Sequence, residues 1–312
     1  MATEENNVAR LDNFLVVGVV RDCARHLKAD VSRIAKALGK ADKIQWLLIE
    51  SDSSDHSVAV LSELEASTKY FRYVSLGKLR DEMPLRTDRI AFCRNEYLKQ
   101  IKQNSIYKDV EWVLVSDFDG ANSLISKESL SSCWSRVDWD VCAANQQGPY
   151  YDLWALRHRE WCPDDCWAQY EFLKRYMANK EKALDVAVHA KMITIPRQSD
   201  WIEVDSAFGG SAIYRKRIME RGTYIGKRED GSELCEHVSF HESLKRAGAR
   251  IFINPEFVNT GLTVHSEYLV RKRIIRQLKG AIKSALMKIV GHHLYEQIKT
   301  RLKELPERSH SG

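Results

Sequence analysis

The chain has 312 residues, 44% hydrophobic and 29% charged, with a formal net charge of +5, which is enough material for one large domain or two ordinary ones and excludes a disordered chain. Residues 268–312 hold 11 Lys and Arg against 3 Glu, a local +8, so residues 1–267 carry −3. A basic tail on a mildly acidic body argues against nucleic acid as a partner, because such binders are basic over the folded body. No run of 18 uncharged apolar residues occurs and the first ten, MATEENNVAR, are polar. The expectation is therefore a cytosolic chain. Seven cysteines are scattered, and only Cys162 and Cys166 are close. They lack the second pair of a zinc site and read as buried thiols.

In chain order, FLVVGVV (14–20), QWLLIE (45–50), FRYVSL (71–76) and WVLVSDF (112–118) are short apolar runs suited to strands covered on both faces. Helical patterns separate them at about 29–38, stopped by Gly39, at 57–67, and at 87–103, where Ile90, Cys93, Tyr97 and Ile101 share a stripe. Alternation of this kind predicts a mostly parallel α/β sheet, whose ligands sit at the carboxyl ends of its strands. Polar clusters stand at three of those ends: Arg21-Asp22, Glu50-Ser51-Asp52 and Asp117-Phe118-Asp119. Further on, 137–145 predicts a strand, 164–180 a helix capped by Asp164 or Asp165, 208–214 a strand opened by Gly209 and Gly210, 236–248 a helix and 251–256 a last strand before the loop FVNTGLTVH. No linker divides residues 1–267, which read as one catalytic-type domain followed by a tail, 268–312.

Residues i and i+2 of a strand share a side, so Asp117 and Asp119 converge while Phe118 turns into the sheet. Two converging carboxylates repel unless a cation lies between them or one stays protonated. A divalent ion shared with phosphate oxygens suits such a pair. Arg86 and Arg89 fall at the start of the 87–103 helix, where the macrodipole disfavours cations, so an anion is expected there, a diphosphate being the natural one. Arg94 lies one turn deeper. No P-loop, no dinucleotide-binding glycine fingerprint and no nucleophile elbow occurs.

The DFD segment resembles the DxD motif of GT-A-fold glycosyltransferases. The segments RTDRIAFCRN, YYDLWALR, AFGGSAIYR and CEHVSFHESLKRAGARIFINPEFVNTGLTVHSE are similar, in order and spacing, to the fungal α-mannosyltransferase branches of that fold, over about residues 12–268. The resemblance implies a GT-A domain with a C-terminal helical appendage that moves a hexose, with mannose as the expected sugar, from a nucleotide-diphosphate sugar to a hydroxyl of a glycan or lipid-linked glycan. It implies retention of anomeric configuration. It assigns His265, with Asp119 and Asp117, to the metal site, and mixed carboxylate and imidazole ligation favours Mn²⁺ over Mg²⁺. His237 and His241, four apart in a helix, are weaker candidates. Glu236 matches an acid near the sugar or acceptor, Gly209 and Gly210 match glycines beside the donor sugar, and Glu50 and Asp52 match positions near base and ribose. Asp152 with Tyr151 and Trp154 would supply a carboxylate and stacking faces for sugar hydroxyls. In an inverting enzyme Glu236 or Asp152 would serve as base.

The fungal enzymes carry an N-terminal anchor and work in the secretory pathway, a departure that leaves polysaccharide or cell-surface glycan assembly at the cytoplasmic membrane face as the expected setting. Ile274, Leu278, Ile282, Leu286, Ile289, Ile298 and Leu302 recur among lysines and arginines, which predicts a basic amphipathic helix or pair, broken near Gly291, for anionic membrane surfaces. Two other classes share some features. A nucleotide-sugar pyrophosphorylase needs a glycine-rich basic loop after its first strand, where this chain has Val19-Val20-Arg21-Asp22; a non-catalytic carbohydrate-binding protein would not need Asp119 and His265.

Overall fold

The computed structural model of the protein describes residues 13–39 and 44–290; within the last helix some side chains, that of His265 among them, lie outside the described residues. Strand β1 (Phe14–Val20) has β2 (Gln45–Glu50) on one side and β4 (Trp112–Ser116) on the other, both parallel, with Val17 opposite Leu47 and Val115; β3 (Phe71–Ser75) extends β2. Side chains on both faces of β1, β2 and β4 are buried almost throughout, as their unbroken apolar runs predict. Beyond β4 the sheet turns mixed. The order is β3-β2-β1-β4-β7-β5-β8-β6, with β7 (Ser211–Arg215) antiparallel between β4 and β5 (Val141–Gln146), β8 (Ile251–Thr260) parallel to β5, and β6 (Ile202–Val204) antiparallel at the edge.

At the amino ends of β1 and β4, Phe14 and Trp112 pack edge-on against Trp134, with ring centroids 5.9 and 5.3 Å apart. Each such buried aromatic contributes about 1.5–3 kcal/mol. The carboxyl ends carry the polar residues, so the amino ends of these strands are packed with aromatics and the carboxyl ends are left for ligands.

Helix α1 (Ala24–Leu38) begins five residues before the predicted start, and its capping explains why. Ser57 Oγ and Asp55 Oδ2 accept from the backbone N–H groups of Cys23 and Ala24, so the first turn is satisfied from the next loop, out of sight of local sequence. Gly39 closes the helix in the left-handed conformation. Helices α2 (Ser57–Ser67) and α3 (Arg86–Gln103) fall where periodicity places them. The helix expected over 164–180 is instead two. Asp165 caps α4 (Cys166–Tyr176) by accepting from Trp167 and Ala168 N–H, and Asn179 caps α5 (Lys180–Ala187) through Lys182 N–H. Strand β8 runs four residues past its predicted end because a register shift opposite Asn145 absorbs Pro255, whose carbonyl accepts from Asn145 Nδ2.

Contacts divide the chain into a unit through Thr263 and another from Val264. The second holds α7 (Val264–Val290), numbered after α6 (Glu236–Arg246) of the first; short helical turns elsewhere are unnumbered. It is one helix passing through Gly280, and Ile274, Ile275, Leu278 and Ile282 are each at least half exposed. The predicted break near Gly291 and residues 298 and 302 lie outside the described residues. No helix among the described residues is long and apolar enough to cross a membrane.

Candidate active site

A cleft of about 300 Å³ opens at the carboxyl ends of β1, β2 and β4, lined by Arg21, Asp52, Arg86, Arg89, Arg94, Asp117, Asp119, Tyr151, Asp152, Trp154, Gly210, Glu236 and His237. It gathers residues from seven sequence segments that the fold alone brings together. Glu50 and Gly209 are absent from its wall, and His265 belongs to the other unit.

The DFD loop is built from the backbone outward. Strand β4 ends at Ser116; Asp117 N–H donates to Gly210 O at 2.9 Å, and Asp117 O accepts from Asn122 Nδ2 at 2.7 Å. Phe118 is 2% exposed and lies so close over Gly18 that a Cβ there would stand 2.5 Å from its ring. That contact explains a glycine in the middle of a buried strand. Asp117 and Asp119 therefore both face the cleft, as the alternation predicts, with Asp119 the more exposed.

Electrostatically the two differ. Asp117 keeps 36% of its side-chain surface open to the cleft. Burial, then the neighbouring Asp119, push its carboxyl up to about 8. The guanidinium of Arg94 opposes this from 3.8 Å, too far to cancel it. Burial also raises Asp152, against the bond its Oδ2 accepts from Gly209 N–H at 2.9 Å. Acids thus outnumber cations at the centre. Two carboxylates that converge on one cleft, as Asp117 and Asp119 do, are a donor set for a hard divalent cation, which relieves the repulsion and takes its other ligands from water or phosphate. Among the described residues no three His, Cys, Asp or Glu side chains group as a metal site by themselves.

The three arginines of α3 have different positions. Arg94 is 3% exposed; its Nε donates to Glu236 Oε1 at 3.1 Å, and its guanidinium lies 5.4 and 5.7 Å from the rings of Phe208 and Tyr224. Arg89 is also buried, and donates to Met83 O and Pro84 O at 2.6 and 2.9 Å while its Nε meets Asp52 Oδ2 at 3.3 Å. Asp52 accepts in turn from Leu79 and Arg80 N–H, so this pair clamps the loop before α3. Arg86 alone is exposed, on the cleft wall, without an ion pair among the described residues. The anion expected at the helix start is in part a protein carboxylate: Glu233 Oε1 accepts from Thr87 N–H and Oγ1.

Two other expectations are redirected. Glu50 is turned into its own loop, accepting from Ser53 N–H at 3.0 Å and from Ser75 Oγ. Gly209 is required by the sheet rather than by a ligand, since its Cβ would stand 2.5 Å from Ala144 O. Gly210, with φ +84°, does line the cleft, where a Cβ would come within 3.0 Å of Tyr151 Oη. Trp154 is tied back, its Nε1 donating to Asp165 Oδ2 at 3.2 Å.

Of the two helical histidines, His241 is structural. Ser206 Oγ donates to Ala155 O, so the 2.8 Å contact to His241 is an Nδ1–H donation, and Nε2 accepts from Tyr214 Oη at 2.8 Å. His237 is 3% exposed, stacked on Phe208 at 3.8 Å, and neither ring nitrogen has a hydrogen-bond partner among the described residues. Burial holds it neutral, so its 3.8 Å approach to Glu236 is not an ion pair. Cys162 and Cys166 are buried free thiols.

The cleft is thus an acidic, partly enclosed site with an arginine at its rim that has no ion pair among the described residues, suited to a polyanion accompanied by a cation. No family model matches the chain and no curated protein is found similar to it. Among solved structures it is similar to the mannosyltransferase PcManGT from Pyrobaculum calidifontis, in complex with GDP-Man and Mn²⁺ (13% identity over 80% of this chain and 56% of that one, TM-score 0.45). It is also similar to S. aureus TarS 1-349 (14% identity, 77% and 57%, TM-score 0.43) and to glucosyl-3-phosphoglycerate synthase from Mycobacterium tuberculosis in complex with UDP (11% identity, 83% and 74%, TM-score 0.41). The chain spans little more than half the length of the first two.

Proposed function

We propose that the chain is a metal-dependent GT-A glycosyltransferase that moves a hexose, mannose first among those to try, from a nucleotide-diphosphate sugar to a hydroxyl of a glycan or lipid-linked glycan, with retention. The observation that carries the reading is the convergence of Asp117 and Asp119 with Asp152, Glu236 and Arg86 on one cleft at the carboxyl ends of the parallel strands. Asp119 and Asp117 would hold Mn²⁺ or Mg²⁺ together with diphosphate oxygens, and the resemblance in sequence adds His265, whose side chain lies outside the described residues. Bound there, the ion would neutralise charge on the departing nucleotide diphosphate.

The chain's own groups account for the rest. Arg86 at the rim shares the diphosphate charge, with nothing to be broken first. Asp152, oriented by Gly209 N–H, accepts from a sugar hydroxyl, with Trp154 beside it. Tyr151 bounds the floor over Gly210. Glu236, engaged by Arg94, fills a positioning role, since retention asks for no general base. Asp52 and Arg89 fix the loop that borders the nucleotide end. The exposed apolar stripe of α7, with its basic neighbours, docks the enzyme peripherally on an anionic membrane face where a lipid-linked acceptor resides.

Nucleotide release from a panel including GDP-mannose and UDP-GlcNAc, with and without Mn²⁺, tests the reading. Transfer should require the ion and fall with Asp119→Ala and His265→Ala. Formation of nucleoside triphosphate from pyrophosphate would identify a pyrophosphorylase instead, and sugar binding without nucleotide release a non-catalytic protein. Liposome binding unchanged by removal of residues 270–312 would refute the membrane role.

A further inference from the structure

Asp30 stands where α1 has no packing reason to carry an acid. Leu27, Val31 and Ile34 form the buried stripe of that helix, and Asp30 lies among them with no exposed surface. A carboxylate there costs free energy that an apolar side chain would not, and burial raises its pKa accordingly. It accepts two hydrogen bonds. One comes from Arg33 Nη1 at 3.3 Å, a largely exposed neighbour on the same helix; the other comes from the backbone N–H of Gly120 at 2.9 Å.

Gly120 directly follows Asp119. Its φ is +98°, and a Cβ there would stand 3.1 Å from His26 Nδ1, so α1 abuts the loop closely at this point. The amino-terminal half of the DFD loop is fixed by Gly210 O, Asn122 and the Phe118 ring. Asp119 accepts no hydrogen bond from the described residues. What restrains its backbone on the far side is the bond from Gly120 to Asp30.

We propose that Asp30 is the positioning residue for Asp119: through the Gly120 N–H it fixes the backbone from which the Asp119 carboxylate faces the cleft, and so sets the affinity of the cleft for a divalent cation. The inference rests on the reading of Asp119 as a cation ligand. It explains an acid buried on an apolar stripe, which neither helix formation nor packing requires.

The test is a titration with Mn²⁺ alone, followed by loss of the free-ion electron paramagnetic resonance signal, with melting temperature as a check on the fold. Wild type should bind and Asp119→Ala should not. Asp30→Leu fills the stripe and removes the acceptor; it should bind about 10–100-fold more weakly, the usual effect of losing a residue that orients a ligand. Asp30→Asn keeps an acceptor for the same N–H and should remain within about threefold of wild type on that scale. Arg33→Ala should change nothing. Wild-type affinity in Asp30→Leu, or equal losses in the Leu and Asn variants, would overturn the positioning role while leaving Asp119 a ligand. Mn²⁺ binding indifferent to Asp119→Ala would overturn both.

Discussion

The floor and the rim of the cleft solve opposite problems with the same residue types. On the floor, Arg94 and Glu236 are almost completely buried and already bonded to each other, with Phe208, Tyr224 and His237 packed around them. At the rim, Asp119 and Arg86 are exposed and without ion pairs among the described residues. Charges on the floor cannot be left unpaired without large loss, so they define the shape of the site. Charges at the rim cost little when idle and are available to a ligand.

The sharpest way to break this contrast is on the floor. Arg94→Ala or Glu236→Ala strands a buried charge and should each destabilise the protein by about 3–5 kcal/mol, with the double variant well short of the sum. Urea denaturation of all three reads this directly. Additive losses would mean the pair is not coupled. At the rim, Asp119→Ala should leave stability nearly unchanged while lowering Mn²⁺-dependent transfer about 10²–10³-fold. A parallel fall in melting temperature would make Asp119 structural and erase the distinction.

The sequence reveals these regions unequally. The parallel strands and the DFD pair are legible because burial on both faces writes continuous apolar runs and because alternation puts Asp117 and Asp119 on one side. Arg89 is not legible as a clamp: its partners are backbone carbonyls of Met83 and Pro84, and no pattern in the side chains announces them. The same holds for Glu50, drawn into its own loop, and for the cap that Ser57 and Asp55 lend to α1. Asp30 did leave a signal, an acid at an apolar position of a helix, although only the fold shows that it faces Gly120. The mixed half of the sheet is harder still, since the antiparallel insertion of β7 between β4 and β5 depends on pairings nearly a hundred residues apart.

The floor also predicts a pH response. Burial lowers the His241 imidazole from 6.5 to about 3, and Nε2 accepts from Tyr214 rather than binding a proton. Between those values the unfolded chain takes up a proton that the folded chain refuses, so stability present above pH 6.5 is lost as pH falls toward 3. From pH 7 to pH 5 the loss from this residue is about 2 kcal/mol, and His237, also lowered by burial, adds in the same direction. Denaturation midpoints of wild type and His241→Gln at the two values measure it: the variant should be less stable at pH 7, and its deficit should shrink by about 2 kcal/mol at pH 5. Asp117, whose carboxyl burial pushes up to about 8, gains stability over the same window, so the share of His241 is read from the difference between the two proteins; a difference unchanged from pH 7 to 5 would mean the imidazole is wetter than its packing indicates.

The smallest effect belongs to Arg86, and it separates rim from floor most cleanly. Arg89 and Arg94 are on the same helix, yet both are spoken for, one by the loop before α3 and the other by Glu236. Arg86 has no such tie, so Arg86→Ala should not alter melting temperature. It should weaken nucleoside diphosphate binding by about tenfold, the scale of one charge-assisted contact to phosphate. Because the charge is exposed, the wild-type advantage should shrink as salt rises from 0.05 to about 0.5 M, the Debye length falling well below 10 Å. Arg86→Lys should recover part of the affinity, as a point charge without the planar fork. A loss that persists unchanged at high salt would place Arg86 with the buried pairs of the floor, and the division between preformed shape and waiting charge would have to be redrawn one helical turn further out.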